Sequence, residues 1–298
     1  MGGVVPAAAA ATVIAALAGF AAPVLAQTAA SLDCGLEAGP ERAVTEVIDG
    51  DTIRLDDGKE VRLIGLIAPR AEDAGAKPGT WAPEEESRKA LAALLSGKTI
   101  ALAFQGPRTD RYGRVLAQLF FTQDGTTSWV QALHLESGHA RAFAPPGHDA
   151  CHARLRERER KARTARSGLW NNAAYQVRPA DRPGELERYR GTFQIVSGRA
   201  GKPSGTRALV ILEFVTSEME RPGGSSTVAR KPAVFRAIWN RSVRTLDAPI
   251  SGADLEIRGW IDVRRGPEIQ VLGPAQLEVM TAAGSRNPPI ASDQKPRP

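Results

Sequence analysis

The chain has 298 residues, 42% apolar and 24% charged, which excludes wholesale disorder and leaves room for two domains of about 150 residues each. Two cysteines are too few for a disulfide scaffold or a four-thiolate zinc site. The net charge of +6 permits a polyanionic partner without requiring one, and 29 Gly and 21 Pro predict many turns.

Residues 1–32 carry no charged side chain, and Val13 to Phe20 is an apolar, Ala-rich stretch ahead of Val24-Leu25-Ala26. This reads as a secretory signal peptide over residues 1–26, with an uncleaved membrane anchor as the alternative. Export predicts a periplasmic or secreted protein in which Cys34 and Cys151 pair. His148 and His152 beside Cys151 raise a metal reading, but three ligands without a fourth favour the disulfide.

From residue 43 the pattern is that of a small β-barrel with helices. Asp49-Gly50, Asp57-Gly58 and Asp124-Gly125 stand between β-branched alternating runs and mark hairpin turns. Val61 to Ile67 reads as one apolar strand, and further strands are expected at 98–104 and 114–121. Pro83, followed by Glu84, Glu85 and Glu86, opens a helix whose apolar face is Leu91, Leu94 and Leu95 and which Gly97 closes. Helices are also expected near 127–137 and 149–167. The second of these carries seven basic and two acidic side chains over 154–166, either an ordinary ion-paired helix surface or a nucleic-acid face.

Three segments in this order carry a resemblance: Val47-Ile-Asp-Gly-Asp-Thr52, Val61-Arg-Leu-Ile-Gly65 and Asp110-Arg-Tyr-Gly-Arg-Val115. With Leu133 to Ala142 and Ala165-Arg-Ser-Gly-Leu-Trp170, residues 43–170 resemble the staphylococcal nuclease (thermonuclease) family. The resemblance implies a five-stranded oligonucleotide-binding barrel with three helices, and Ca2+-dependent hydrolysis of DNA or RNA. It places Asp51 on the first metal-ligand position with Asp49 beside it, and Arg62 and Arg114 on the phosphate-binding arginines. Arg111 and Tyr112 fall on the loop that approaches the nucleotide.

The chain departs from the family at Ile67-Ala-Pro-Arg70, where the family has Asp-Thr-Pro-Glu. Ile67 stands at the second metal carboxylate and Arg70 at the catalytic glutamate, leaving only the Ala68 carbonyl as a ligand there. An isoleucine removes an oxygen ligand, and an arginine reverses the charge at the proton-handling position. Three readings stay open. One is a metal-dependent hydrolase rearranged around Glu72 or Asp73. The second is a catalytically inactive module that binds nucleic acid (single strands above all) through Arg62, Arg114, Arg111, Tyr112 and Arg70, and the third is an envelope protein–protein scaffold.

A domain over 34–170 is expected to lead through a linker at 171–190 into an all-β domain over 191–280, a second small barrel or sandwich in which Leu255 to Asp262 resembles a strand of oligonucleotide-binding folds. Its strands are expected at 191–196, 208–214, 233–238, 255–261 and 268–272, with Arg264 to Pro267 as a hairpin turn. Phe235, Trp239 and Trp260 are either core residues or stacking platforms for single strands. Residues 281–298 are Pro-rich and polar and read as a disordered tail.

Overall fold

The computed structural model describes Gly2 and residues 34–216, 234–243 and 250–280. The expected signal peptide or anchor and the expected disordered tail lie outside the described residues. Among the described residues no helix is long and apolar enough to cross a membrane.

The chain builds two closed rings of strands. The first uses β1 (Glu37–Asp49), β2 (Thr52–Leu55), β3 (Glu60–Leu63), β5 (Thr99–Phe104) and β6 (Val115–Gln123), reached through the short β4 (Gly65–Ile67). β1 pairs antiparallel with β2 and β5, β2 with β3, and β5 with β6; the parallel β3–β6 pair closes the ring. Closure leaves Ile53, Val61, Leu63, Ile100 and Leu119 inside with almost no exposure. Turn chemistry agrees with the sequence at two hairpins. Gly58 has φ 81°, and Asp124 and Gly125 have φ 51° and 73°, the left-handed backbone a tight hairpin needs.

Two expectations need correction here. Val61 to Ile67 is two strands, because Gly65 at φ 93° bends the chain out of β3 so that β4 pairs instead with β8 (Arg141–Phe143). A side chain at Gly65 would run into Leu155. The segment 127–137 begins as β7 (Thr126–Trp129), since β-branched Thr126 and Thr127 continue the hairpin back along β6. Only then does helix α2 (Val130–Glu136) start. Helix α1 (Ala82–Leu95) has Pro83, Glu84 and Glu85 in its first turn and buries Leu91 and Leu95. Helix α3 (His152–Ala165) is shorter than the expected 149–167. Cys34 and Cys151 form a disulfide with Cα atoms 5.3 Å apart, tying the start of the first domain to the entry of α3.

Residues 171–190 are anchored at several points. Asn172 caps a short 3-10 turn, Tyr175 is buried and accepts a hydrogen bond from Trp81 Nε1 (2.7 Å), and β9 (Arg178–Pro179) joins the second sheet.

The second ring consists of β10 (Phe193–Arg199), β12 (Leu209–Glu213), β13 (Arg236–Asn240), β14 (Asp254–Asp262) and β15 (Glu268–Gln270). Two-residue β11 (Ser204–Gly205) lies on β12, and β16 (Leu277–Met280) pairs with the outer side of β14. β10–β14, β14–β15 and β12–β13 are antiparallel and β13–β15 is parallel. The Ala200–Phe214 bridge brings β12 back to β10. This is the connection order of the first ring, repeated with unrelated residues. Phe235 and Trp239 belong to its core with Phe214, Leu255, Ile257 and Ile261, and so are not stacking platforms. Trp260 points the other way. It is 46% exposed and meets Phe143 and Phe193 edge-on, at 5.1 and 5.2 Å between ring centroids.

The alternation along β14 sends Glu256, Arg258 and Trp260 to the outer face, which lies against α3 and β8. Arg258 donates to Glu159 (3.0 Å) and pairs with Glu256, while Arg163 bonds both Glu256 (2.6 Å) and Glu159 (2.9 Å). Arg156 and Arg160 reach Glu278, and Arg158 and Lys161 reach Glu136. Five of the basic residues of 154–166 are therefore engaged in ion pairs, several of them between domains. The nucleic-acid reading of this helix face is not supported.

Candidate nucleic-acid site

The turn between β1 and β2 presents two carboxylates. Asp49 Oδ1 accepts the Asp51 backbone N–H (2.9 Å), which fixes the turn from within. Gly50 is required by what lies beneath it: a Cβ there would stand 2.8 Å from Ala68 Cβ and 2.9 Å from Ser87 Cβ. Ser87, on α1, donates to the His139 carbonyl (2.8 Å) and lies 3.1 Å from His134 Nε2. Burial pushes His134 down to about 3, so this support is neutral at ordinary pH.

Asp51 is fully buried, and both oxygens of its carboxylate accept hydrogen bonds. Oδ2 accepts the Ala68 backbone N–H at 2.7 Å. Oδ1 accepts from Arg62, on β3, and from Arg70 Nη2 at 2.9 Å. Arg70 Nη1 lies 2.9 Å from Asp49 Oδ2, so one guanidinium bridges both aspartates. The planar fork presents its two terminal nitrogens to the two carboxylates in a fixed geometry. Burial raises the Asp51 carboxyl above the ordinary carboxylate value against the pull of Arg62 and Arg70. Burial works against the Asp49 charge too, but Arg70 and the hydrogen bonds from Asp51 hold it at about 2. Arg70 is itself partly buried, yet the two aspartates raise its pKa and secure its charge.

The remaining expected residues fall in two places. Arg114 is not in this cluster; its guanidinium Nε donates to Asp110 Oδ2 (2.9 Å), the residue that also caps the 110–114 turn. Tyr112, at the tip of that turn, is 69% exposed, with the Arg111 and Arg114 guanidinium carbons 4.9 and 5.5 Å from its ring centroid. Ile67 faces away from Asp51 into an apolar cluster with Ala162, Trp170, Phe193 and Ile195.

Glu72 is exposed, and Asp73 is buried against Arg141 at 2.6 Å, so Asp73 is committed elsewhere. Arg141 escaped the sequence reading. A lone arginine in the apolar strand Ala140-Arg141-Ala142-Phe143 was the available signal, because a buried charge requires a partner.

The donor set does not fit calcium. Calcium takes six to eight oxygens, several of them carboxylate. Here both aspartates already bind guanidiniums, the position of a further carboxylate is an isoleucine turned into a core, and no trio of His, Cys, Asp or Glu among the described residues converges on one point. Cys151 is in its disulfide, His148 Nε2 lies 2.8 Å from the Pro107 carbonyl, and His152 Nε2 accepts from Arg156.

Residues 60–172 match the family described as staphylococcal nuclease homologue. Over 133 residues the chain is 29% identical to an uncharacterized endonuclease of Escherichia coli, covering 44% of this chain and 76% of that protein. The corresponding protein of Escherichia coli O157:H7 matches at the same level. An uncharacterized protein of Bacillus anthracis is 30% identical over 135 residues, 43% of this chain and 59% of its own length.

Proposed function

We propose that the chain, whose residues 60–172 match the staphylococcal nuclease homologue family, is an exported nucleic-acid-binding protein that holds single strands without metal-dependent hydrolysis. The reading rests on one arrangement, the Arg70 guanidinium bridging Asp49 and Asp51. With Arg62 it balances both carboxylates, so the cluster neither attracts a divalent cation nor offers a base to activate water. Binding falls to the outer turn. Tyr112 presents a largely exposed side chain on which a nucleobase can stack, and Arg111 beside it supplies charge for a phosphate. The Cys34–Cys151 disulfide agrees with an oxidising compartment outside the cytoplasm.

The test uses fluorescein-labelled single-stranded DNA and RNA. Cleavage is followed in calcium, magnesium, manganese and EDTA, and binding is followed by anisotropy across a salt series. The expected result is intact strands in every buffer and binding that weakens steeply with salt. Tyr112→Ala should weaken binding by about 5- to 150-fold, the range for loss of one stacked base. Divalent-dependent cleavage that disappears in both Asp51→Ala and Arg62→Ala would overturn the proposal in favour of the hydrolase. Absence of binding even at low salt would leave the protein–protein scaffold.

A further inference from the structure

We infer that the second barrel fixes the Arg70 guanidinium between Asp49 and Asp51 as the resident cation of the site, so that the docked domains exclude divalent metal. The inference rests on the reading of this site as non-catalytic and adds what enforces it.

An unbroken series of contacts runs from the second barrel to the aspartates. Its origin is Phe193, the first residue of β10, whose backbone carbonyl accepts from Arg141 Nη1 at 2.6 Å. Arg141 sits opposite Ile67 in the β4–β8 register and is almost wholly buried. The Tyr175 and Phe193 rings each lie 4.9 Å from its guanidinium carbon. Its other nitrogen, Nη2, bonds Asp73 Oδ2 at 2.6 Å, and that same oxygen accepts the Arg70 backbone N–H at 3.1 Å. The Arg70 carbonyl in turn accepts the Asp73 backbone N–H at 3.1 Å. The backbone of Arg70 is thus held by a buried ion pair whose far side is the second barrel, while its side chain spans to the two aspartates.

A second grip acts on the strand before it. Ile67 is 7% exposed and packs with Phe193 and Ile195 of β10. The residue that the resemblance assigns to a metal carboxylate is instead an anchor for the neighbouring domain. Both ends of the Ile67-Ala-Pro-Arg70 segment are therefore set by domain docking.

The energetic consequence follows from preorganisation. A free arginine loses side-chain rotamer freedom when it is fixed. Here the backbone anchor has already placed the stem, and the bidentate head keeps its bonds in a partly buried site. A cation entering between the aspartates must displace that head and separate it from both carboxylates. Arg141 and Asp73 act through Arg70 and are positioning residues.

The experiment titrates terbium(III), a hard oxygen-seeking ion, into the full chain by calorimetry, with Asp51→Asn as the background for each variant. Wild type should show no saturable binding above that background. Arg70→Ala should gain binding of about one equivalent, lost again when Asp51→Asn is added. Arg141→Met and Asp73→Asn should each gain saturable binding that wild type lacks; a merely structural role predicts loss of function and no such gain. Circular dichroism melts confirm that each variant is folded, and Asp73→Asn, which keeps an acceptor oxygen and the side-chain volume, provides the test should Arg141→Met not fold. Saturable wild-type binding that needs Asp51, or no gain in Arg70→Ala, would overturn the resident-cation inference. A gain in Arg70→Ala with none in the folded Arg141→Met and Asp73→Asn proteins would overturn the role of the second barrel and leave the binding function untouched. That function fails separately, on strand cleavage.

Discussion

At Gly50 the packing beneath the turn, and not its dihedral angle, excludes a side chain. A methyl group there meets Ala68 and Ser87, and Ser87 is itself buried on α1. Gly50→Ala should therefore cost about 1–3 kcal/mol, the usual range for overpacking, read as a lower midpoint in urea. An unchanged midpoint would show that α1 yields easily. Arg166 presents the opposite case. It closes α3 at φ 52° and is exposed, so its side chain carries the left-handed strain that glycine avoids. Arg166→Gly should stabilise the chain by about 0.5–1 kcal/mol, seen as a higher melting temperature. Both positions had visible signals: an Asp-Gly-Asp turn in one case, and a helix running into Arg166-Ser-Gly168 in the other. The bridging role of Arg70 had none, because its partners lie 19 and 21 residues earlier and meet it only through the bend at Gly65.

The strands of the first barrel were legible where turn residues punctuate alternating runs, as at Asp57-Gly58 and Asp124-Gly125. The break between β3 and β4 was not, since a glycine inside an apolar run gives no measure of its φ. Charge on α3 left two readings open for a different reason. A run of arginines and glutamates has the same composition whether it faces water or a second set of charges, and the partners Glu256, Arg258 and Glu278 lie about a hundred residues downstream. Glu256, Arg258 and Trp260 alternate along β14 and so share a face, but nothing in that alternation says what covers it. The contact carries a definite cost when half of it is removed. Arg258 is 1% exposed and bonded to two carboxylates that are themselves buried. Arg258→Met should cost about 3–5 kcal/mol because Glu159 and Glu256 then oppose each other without that cation. The double replacement Arg258→Met with Glu256→Gln should recover part of that loss. Equal melting temperatures for the single and double variants would show that the charges are not coupled.

The molecule is two rings of like connection order, the first domain stapled by a disulfide and the two domains docked through a buried charge network, and these two fastenings respond to different conditions. The disulfide closes a loop across a sequence separation of 117 residues. Its reduction should lower stability by about 4–5 kcal/mol in the chain-entropy account, measured as a drop in urea midpoint with dithiothreitol. The charge network is governed by pH. Burial alone would raise the Glu159 and Glu256 carboxyls, but Arg258 and Arg163 overcome it and hold both below the ordinary value. A carboxylate depressed in the folded state binds its proton more weakly there than in the unfolded chain. Its contribution is therefore complete above the unfolded pKa, about 4.3, and is lost as pH falls below it. The melting temperature should be flat from about pH 8 to 5 on account of these two groups, and should fall progressively below about pH 4.5. Glu256→Gln removes one of the titrating carboxylates, so it should lower the neutral-pH melting temperature and make the acid slope shallower. A slope unchanged by that substitution would mean that acid lability arises elsewhere, and that the domains are docked by Ile67, Phe193 and their apolar neighbours rather than by charge.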